Sequence, residues 1–346
     1  HLLGDRLLLL GQRRQHLGAM DATGTQALGL RAGLGGRASR AIPAGRTVAT
    51  LTARALQPLT RFDLDLHGLT VSSVTVGTTK ATFRRDGQEL VVVPPATLPS
   101  GQQFRVTVRY AGRPRPLRSD WGEVGWEELD DGVIVASQPS GGPSWFPCND
   151  RPDDKATYTI RVTTDAAYHV VANGTLTDRR SRGGRTTWSF DQAEPMATYL
   201  ATVQIGRYES VVLAKSLVPQ LAAVPARLRQ RFDAEFASQP QMMVAFEDMF
   251  GPYPFDAYTV VITDDDLEIP LEAQGMSVFG ANHIDGNGTF QRLIAHELSH
   301  QWFGNSLTVA RWRDVWLHEG FACYAEWLWS EKSGGPSADR HARDAL

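Results

Sequence analysis

The stretch LIAHELSHQWFGN, residues 293 to 305, sets two histidines four apart with a glutamate directly after the first. Four residues is about one helical turn, so a helical run projects His296 and His300 from one face, within reach of a single ion. Glu297 leaves that face by roughly a hundred degrees of rotation, which places it beside the ion rather than on it. Such a pair suits zinc, which as a catalytic ion takes three protein ligands and keeps a fourth position for water. By composition, a chance HExxH in a chain this long is roughly a one-in-a-hundred event, so the core-histidine alternative is weak.

Two histidines leave one ligand to find. A metzincin continues with HxxGxxH, but Phe303 and Ser306 stand at the glycine and histidine places, which excludes that class. A gluzincin takes a glutamate from a second helix, and Glu319 in WRDVWLHEGFACYAEWLW follows His300 with 18 residues between them. A helix, a turn at FGNS and a second helix packed antiparallel bring that carboxylate back over the histidine pair. In such a site Glu297 serves as general base and then general acid for a zinc-activated water attacking a polarised carbonyl. Asp314 is the candidate to hold a ligand histidine through its other ring nitrogen, the alternative being a solvated loop carboxylate. His318 flanks Glu319 but points elsewhere on a helix and is read as a non-ligand.

The elements that must carry these residues fall into two textures. From about 60 to 206 short runs such as RFDLDL, QFRVTVRY, GVIVAS, YTIRVTT and RTTWSF alternate or are β-branched, as strands do. NG at 173 to 174 and GG at 183 to 184 suit tight hairpins, so this half reads as an antiparallel sheet or sandwich. After GRYES the residues 225 to 250 show helical spacing, YTVVITDD reads as a strand, and the zinc stretch and DVWLHEGFACYAEWLWSEK read as two further helices. The boundary is placed at 206/207, giving domains 1–206 and 207–346 in an α+β chain, with the first fifty or so residues poorly defined.

The bulk numbers fit this and exclude other classes. With 346 residues, 42% hydrophobic content and a formal net charge of -3, the chain can bury two cores and carries no electrostatic footprint for nucleic acid. LLLL at 7 to 10 is far too short to span a bilayer. Cys148 and Cys323 have no metal-ligand spacing and are read as buried free thiols rather than a disulfide. The two NGT triplets fit the N-glycosylation pattern but read as ordinary turns. Nothing in the residues speaks to oligomeric state.

HELSHQWFGN, then WLHEGFACYAEWLW, resemble the aminopeptidase N family of gluzincin zinc peptidases. WFPCNDRPDDKATYTIRV at 145 to 162, EPMATYLATVQIGRY at 194 to 208 and FGPYPF at 250 to 255 are similar to family signatures in the same order. The resemblance, covering about 60 to 332, implies a saddle-like β-domain followed by a thermolysin-like, mainly helical zinc-peptidase domain. It also implies one zinc per chain on His296, His300 and Glu319, and peptide substrates with a free amino terminus. In the family's GxMEN motif the glutamate binds that terminus; here the matching stretch is IPLEAQGMSVF, with Glu272 in the glutamate place. Ile269, Leu271 and Ala273 replace the glycine, methionine and asparagine. Gln138 resembles the glutamine that the β-domain contributes to the same pocket.

The resemblance further implies an oxyanion-stabilising tyrosine well beyond the zinc glutamate. Only 27 residues (346 minus 319) follow Glu319, and Tyr324 is too near it to match, so the chain is expected to be a partial version of a compact bacterial family member. The leading expectation is a zinc aminopeptidase. A zinc endopeptidase, or a zinc-binding but catalytically impaired peptide-binding protein, is the alternative. A secreted location is expected from the resemblance to compact bacterial members, with cytoplasmic as the alternative.

Overall fold

The computed structural model describes residues 20–21, 25–31, 45–119 and 122–345, so most of the irregular opening stretch lies outside the described residues. The chain divides into two compact units, residues 1–205 and 206–346.

The first unit is built from strands. Its largest sheet runs in the order Thr175–Arg182, Arg185–Met196, Ala156–Asp165, Thr25–Arg31, Gly45–Ala55, Gln103–Gly112, Thr70–Val76, Thr79–Lys80. Described neighbours in it pair antiparallel except Thr25–Arg31 with Ala156–Asp165, which is parallel. Alternation drives the burial: along Gln103–Gly112, Phe104, Val106, Val108 and Tyr110 face inward while their neighbours face out. A second sheet contains Gly122–Leu129, Gly132–Ala136, Val203–Gly206 and His169–Ala172, and a three-stranded one contains Phe62–Asp65, Glu89–Val93 and Thr82–Asp86.

The two glycine signals have different outcomes. Gly183 and Gly184 close a two-residue hairpin with Arg182 opposite Arg185. Asn173 and Gly174 do not make a hairpin; they carry the chain from the second sheet into the first. Gly174, at φ +85, passes so close to the backbone of Asp191 that an added Cβ would lie 2.2 Å from its carbonyl oxygen. Asn173 is buried, donating to Leu200 O at 3.0 Å and accepting Thr202 N–H at 2.7 Å. The expected tight hairpin at this pair is a bend between two sheets instead, because burial of the flanking strands selects their partners.

The second unit mixes both element types. Its sheet runs Tyr208–Lys215, Pro219–Pro225, Tyr258–Ile262, Met276–Phe279, Leu271–Ala273, the last an edge strand paired antiparallel with Met276–Phe279. The helical stretch after residue 225 resolves into a 3-10 turn, α1 (Arg229–Glu235) and α2 (Gln239–Phe250). Pro240 forces the break, because in one continuous helix its ring would clash with the carbonyl of Phe236; instead it sits in the first turn of a new helix. Next come α3 (Gln291–Ser299), α4 (Trp316–Lys332) and α5 (Ala338–Asp344). One core joins sheet and helices through Phe232, Phe246, Val260, Phe279, Leu298 and Trp329.

Candidate functional site

Helix α3 is amphipathic in a particular way. Ile294 and Leu298, four apart, face the core, and the same periodicity turns His296 and His300 to the opposite side. On α4, Ala322, Ala325 and Trp329 are buried, and the small alanines let α3 approach closely. Glu319 thereby meets the histidines: its Oε2 lies 3.4 Å from His296 Nε2 and 3.9 Å from His300 Nε2. All three ligand atoms lie within 4.8 Å of one another.

The other ring nitrogens are committed. His300 Nδ1 faces the carbonyl oxygen of Phe303 at 2.9 Å, and His296 Nδ1 faces Glu326 Oε1 at 2.7 Å. An acceptor at each Nδ1 selects the tautomer with its proton there, which leaves the Nε2 lone pairs pointing at one spot. Asp314, expected to orient a ligand histidine, does not do so. It closes a 3-10 turn, is 44% exposed in its side chain and lies beside Arg313. Glu326 occupies that role's position because it follows Glu319 by seven residues, two turns along the same face of α4. His318 is buried and accepts the Val309 N–H at 3.1 Å, which holds the loop between the helices.

In the FGNS turn Gly304 has φ +132, and a Cβ there would lie 3.1 Å from His300 Nδ1. A side chain at this position would be strained and would press on a ligand ring.

Two further carboxylates complete the cluster. Glu272, Glu297 and His300 also present atoms within 4.8 Å of one another. Glu297 Oε2 and Glu272 Oε1 are buried without a hydrogen-bond partner among the described residues. Burial, opposed by the His296 ring and reinforced by the Glu272, Glu319 and Glu326 carboxylates, holds Glu297 well above the ordinary carboxylate range. Burial likewise raises Glu272, moderated by His300. At Glu319 burial acts in the same sense, but the His300 and His296 rings outweigh it and pull the group down to about 2.

What holds Glu272 in place was not legible as a site signal. The edge hairpin turns at Gln274 and Gly275, and the Gly275 N–H donates to Gln301 Oε1 at 2.8 Å. Gln301 Nε2 and Asn305 Nδ2 both donate to the Ala273 carbonyl, at 3.2 and 2.9 Å. The residues just after His300 therefore tie the end of α3 to the strand carrying Glu272. Ahead of α3 another buried group does similar work. Glu235, at the end of α1, accepts the N–H groups of Gly286, Gly288 and Phe290 at 3.2, 3.2 and 2.8 Å. Helix α3 has no side-chain cap of its own, so this carboxylate serves its N-terminus from a distance.

Gln138 lies in the first unit, just past the strand Gly132–Ala136, half-buried and joined to Pro139 by a cis peptide bond. Cys148 and Cys323 are both free; Cys148 is buried, whereas Cys323 is only half-buried.

The donor set fits zinc. Two imidazoles with Nδ1 engaged and one carboxylate bring together three donors of the types zinc prefers, and carboxylates with unpartnered oxygens lie close to His300. A β-rich unit followed by one that carries this cluster between two helices defines a class, that of two-domain zinc peptidases. Comparison supports it. A profile described as Peptidase M1 N-terminal domain matches residues 45–200, and one described as Peptidase family M1 domain matches 234–345. The crystal structure of an M1 zinc metallopeptidase from Deinococcus radiodurans superposes with a TM-score of 0.82 at 32% identity, over 94% of this chain and 73% of that one. A mutant from the same organism bound to a Tyr-Ser-Ala substrate gives 0.83 at 31% identity, over 94% and 74%. Leukotriene A-4 hydrolase of Xenopus laevis is 28% identical over 303 residues, 83% of this chain and 48% of the relative. Glutamyl aminopeptidase of Bos taurus is 31% identical over 207 residues, 55% of this chain and 21% of the relative. The chain thus spans about half the length of the first of these two relatives and about a fifth of the second. It belongs to peptidase family M1.

Proposed function

We propose that this chain carries the machinery of a zinc aminopeptidase, which removes residues from the amino terminus of peptides. The observation that carries the reading is the convergence of His296, His300 and Glu319 beside the carboxylates of Glu297 and Glu272, each of which has a buried, unpartnered oxygen. Zinc bound by the first three supplies a Lewis acid that polarises the scissile carbonyl and lets water give up a proton near neutral pH.

The chain's own residues do the rest. Glu297 takes the proton of the attacking water at a carboxylate oxygen and returns it to the leaving amine nitrogen. His296 and His300 stay oriented throughout because Glu326 and the Phe303 carbonyl hold their Nδ1 atoms. Glu272, on its clamped hairpin, pairs with the substrate's free ammonium. A buried carboxylate without a partner is costly, so a cationic group entering beside Glu272 is favoured over a blocked one.

The test uses one short peptide with a free and with an acetylated amino terminus, incubated with the zinc-loaded chain and followed by mass spectrometry. Stepwise loss of residues from the free form alone is the expected outcome. Equal cleavage of both forms makes the protein an endopeptidase, and cleavage of neither while zinc stays bound makes it a binder; both results overturn the proposal.

A further inference from the structure

The bond between Glu326 and His296 has a second support. Arg292 lies on α3 one turn before His296, on the same face. Its Nη1 donates to both carboxylate oxygens of Glu326, at 3.0 and 2.8 Å. The Glu326 side chain is only 4% exposed, while that of Arg292 is 62% exposed. The arginine therefore reaches inward from solvent to hold a carboxylate that has almost no water to orient it.

Two observations set this pair apart from an ordinary surface ion pair. Arg292 stands in the first turn of α3, where a positive charge opposes the helix dipole, and no acidic side chain of that turn offsets it. A residue placed against local preference is retained where it serves a longer-range contact. The contact here is also directional. Glu326 Oε1 is shared between Arg292 and His296 Nδ1, so the guanidinium fixes the rotation of the carboxylate that in turn fixes the imidazole.

We propose that Arg292 is a positioning residue for the metal site: it locks Glu326 so that His296 presents its Nε2 lone pair toward Glu319. The inference rests on the zinc reading of the His296, His300, Glu319 cluster. It names a residue whose side chain touches neither metal nor substrate, and it assigns the HExxH helix its own internal brace.

The experiment measures zinc affinity of the full chain by competition with a chromogenic chelator, for wild type, R292A, R292K, E326Q and the R292A/E326Q double variant. Thermal melting of each metal-free form is followed by circular dichroism. Outer partners of zinc histidines typically alter metal affinity ten- to a hundredfold. R292A is expected to loosen zinc about tenfold and to lower metal-free melting less than E326Q does, since Glu326 keeps its bond to His296. R292K should restore much of the affinity, because a lysine ammonium can also reach the carboxylate. E326Q should lose more, and the double variant should be no worse than E326Q alone, because both act through one contact. Wild-type affinity in R292A, additive losses in the double variant, or equal lowering of metal-free melting by R292A and E326Q overturns the inference alone. A wild-type chain that holds no zinc overturns the reading of the site, and the inference with it.

Discussion

Glu297 and Glu319 differ by their neighbours more than by their chemistry. Glu297 is buried and Glu319 is half-buried; burial and neighbouring carboxylates push Glu297 up, whereas the two histidine rings pull Glu319 down. This division matches a ligand and an acid–base group. Glu297→Gln preserves shape and removes the titration, so it is expected to retain zinc at one equivalent by metal analysis. It should lower kcat on a free-amino peptide about a hundredfold or more, the usual weight of general acid–base catalysis. Loss of zinc together with activity would instead show Glu297 to be part of the metal site's framework.

Helix α3 is short and unusual in its supports. It begins without a side-chain cap and takes its first N–H contacts from Glu235 on α1, while the residues following it grip the Glu272 hairpin through Gln301 and Asn305. Glu235→Ala strands three part-buried N–H groups at once. The expected cost is about 3 kcal/mol in urea-induced unfolding of the chain, with Glu235→Gln intermediate because its amide oxygen can keep part of the set. A change below about 0.5 kcal/mol would mean that the loop finds other acceptors. Such an arrangement places the rigid contacts on both flanks of the HExxH segment, where a displaced ligand would otherwise start.

The two units invite separate tests. In the first, Asp150 is half-buried, its carboxyl pushed up to about 7 by desolvation and by Asp65, although Thr198 Oγ1 donates to it at 2.6 Å. Its folded affinity for the proton lies above the ordinary value of 3.8. The stabilisation it lends is therefore complete below about pH 4 and lost as pH rises toward about 7, by roughly 1.4 kcal/mol per pH unit. Asp150→Asn should flatten that slope and leave the variant more stable than wild type at pH 8, as read by denaturant titration at several pH values. A parallel slope in both proteins would assign the pH dependence to other groups. In the second unit, metal removal should act locally. Chelation is expected to raise hydrogen exchange in residues 291–299 and 316–332 while leaving 156–165 and 185–196 unchanged, because a bound ion stabilises the elements that hold it. Uniform acceleration across all four segments would couple the metal to the whole chain.

The parts of this protein legible in its residues are those governed by local periodicity. His296 and His300 share a face because four residues make one helical turn, and strands such as Gln103–Gly112 alternate because successive side chains point to opposite faces. The same rule, extended two turns from Glu319, reaches Glu326, whereas Asp314 has the right side-chain type but meets no ring; a carboxylate's type says nothing of which ring it meets. Asn173 and Gly174 announced a turn but not its destination, since strand partners are chosen by burial across the sheet. Glu235, Arg292, Gln301 and Asn305 carry no spacing signal, because their partners belong to distant strands, loops or helices. Chain order sets which residues share one element's face; the packing of elements against one another, through contacts tens of residues apart, sets what that face touches.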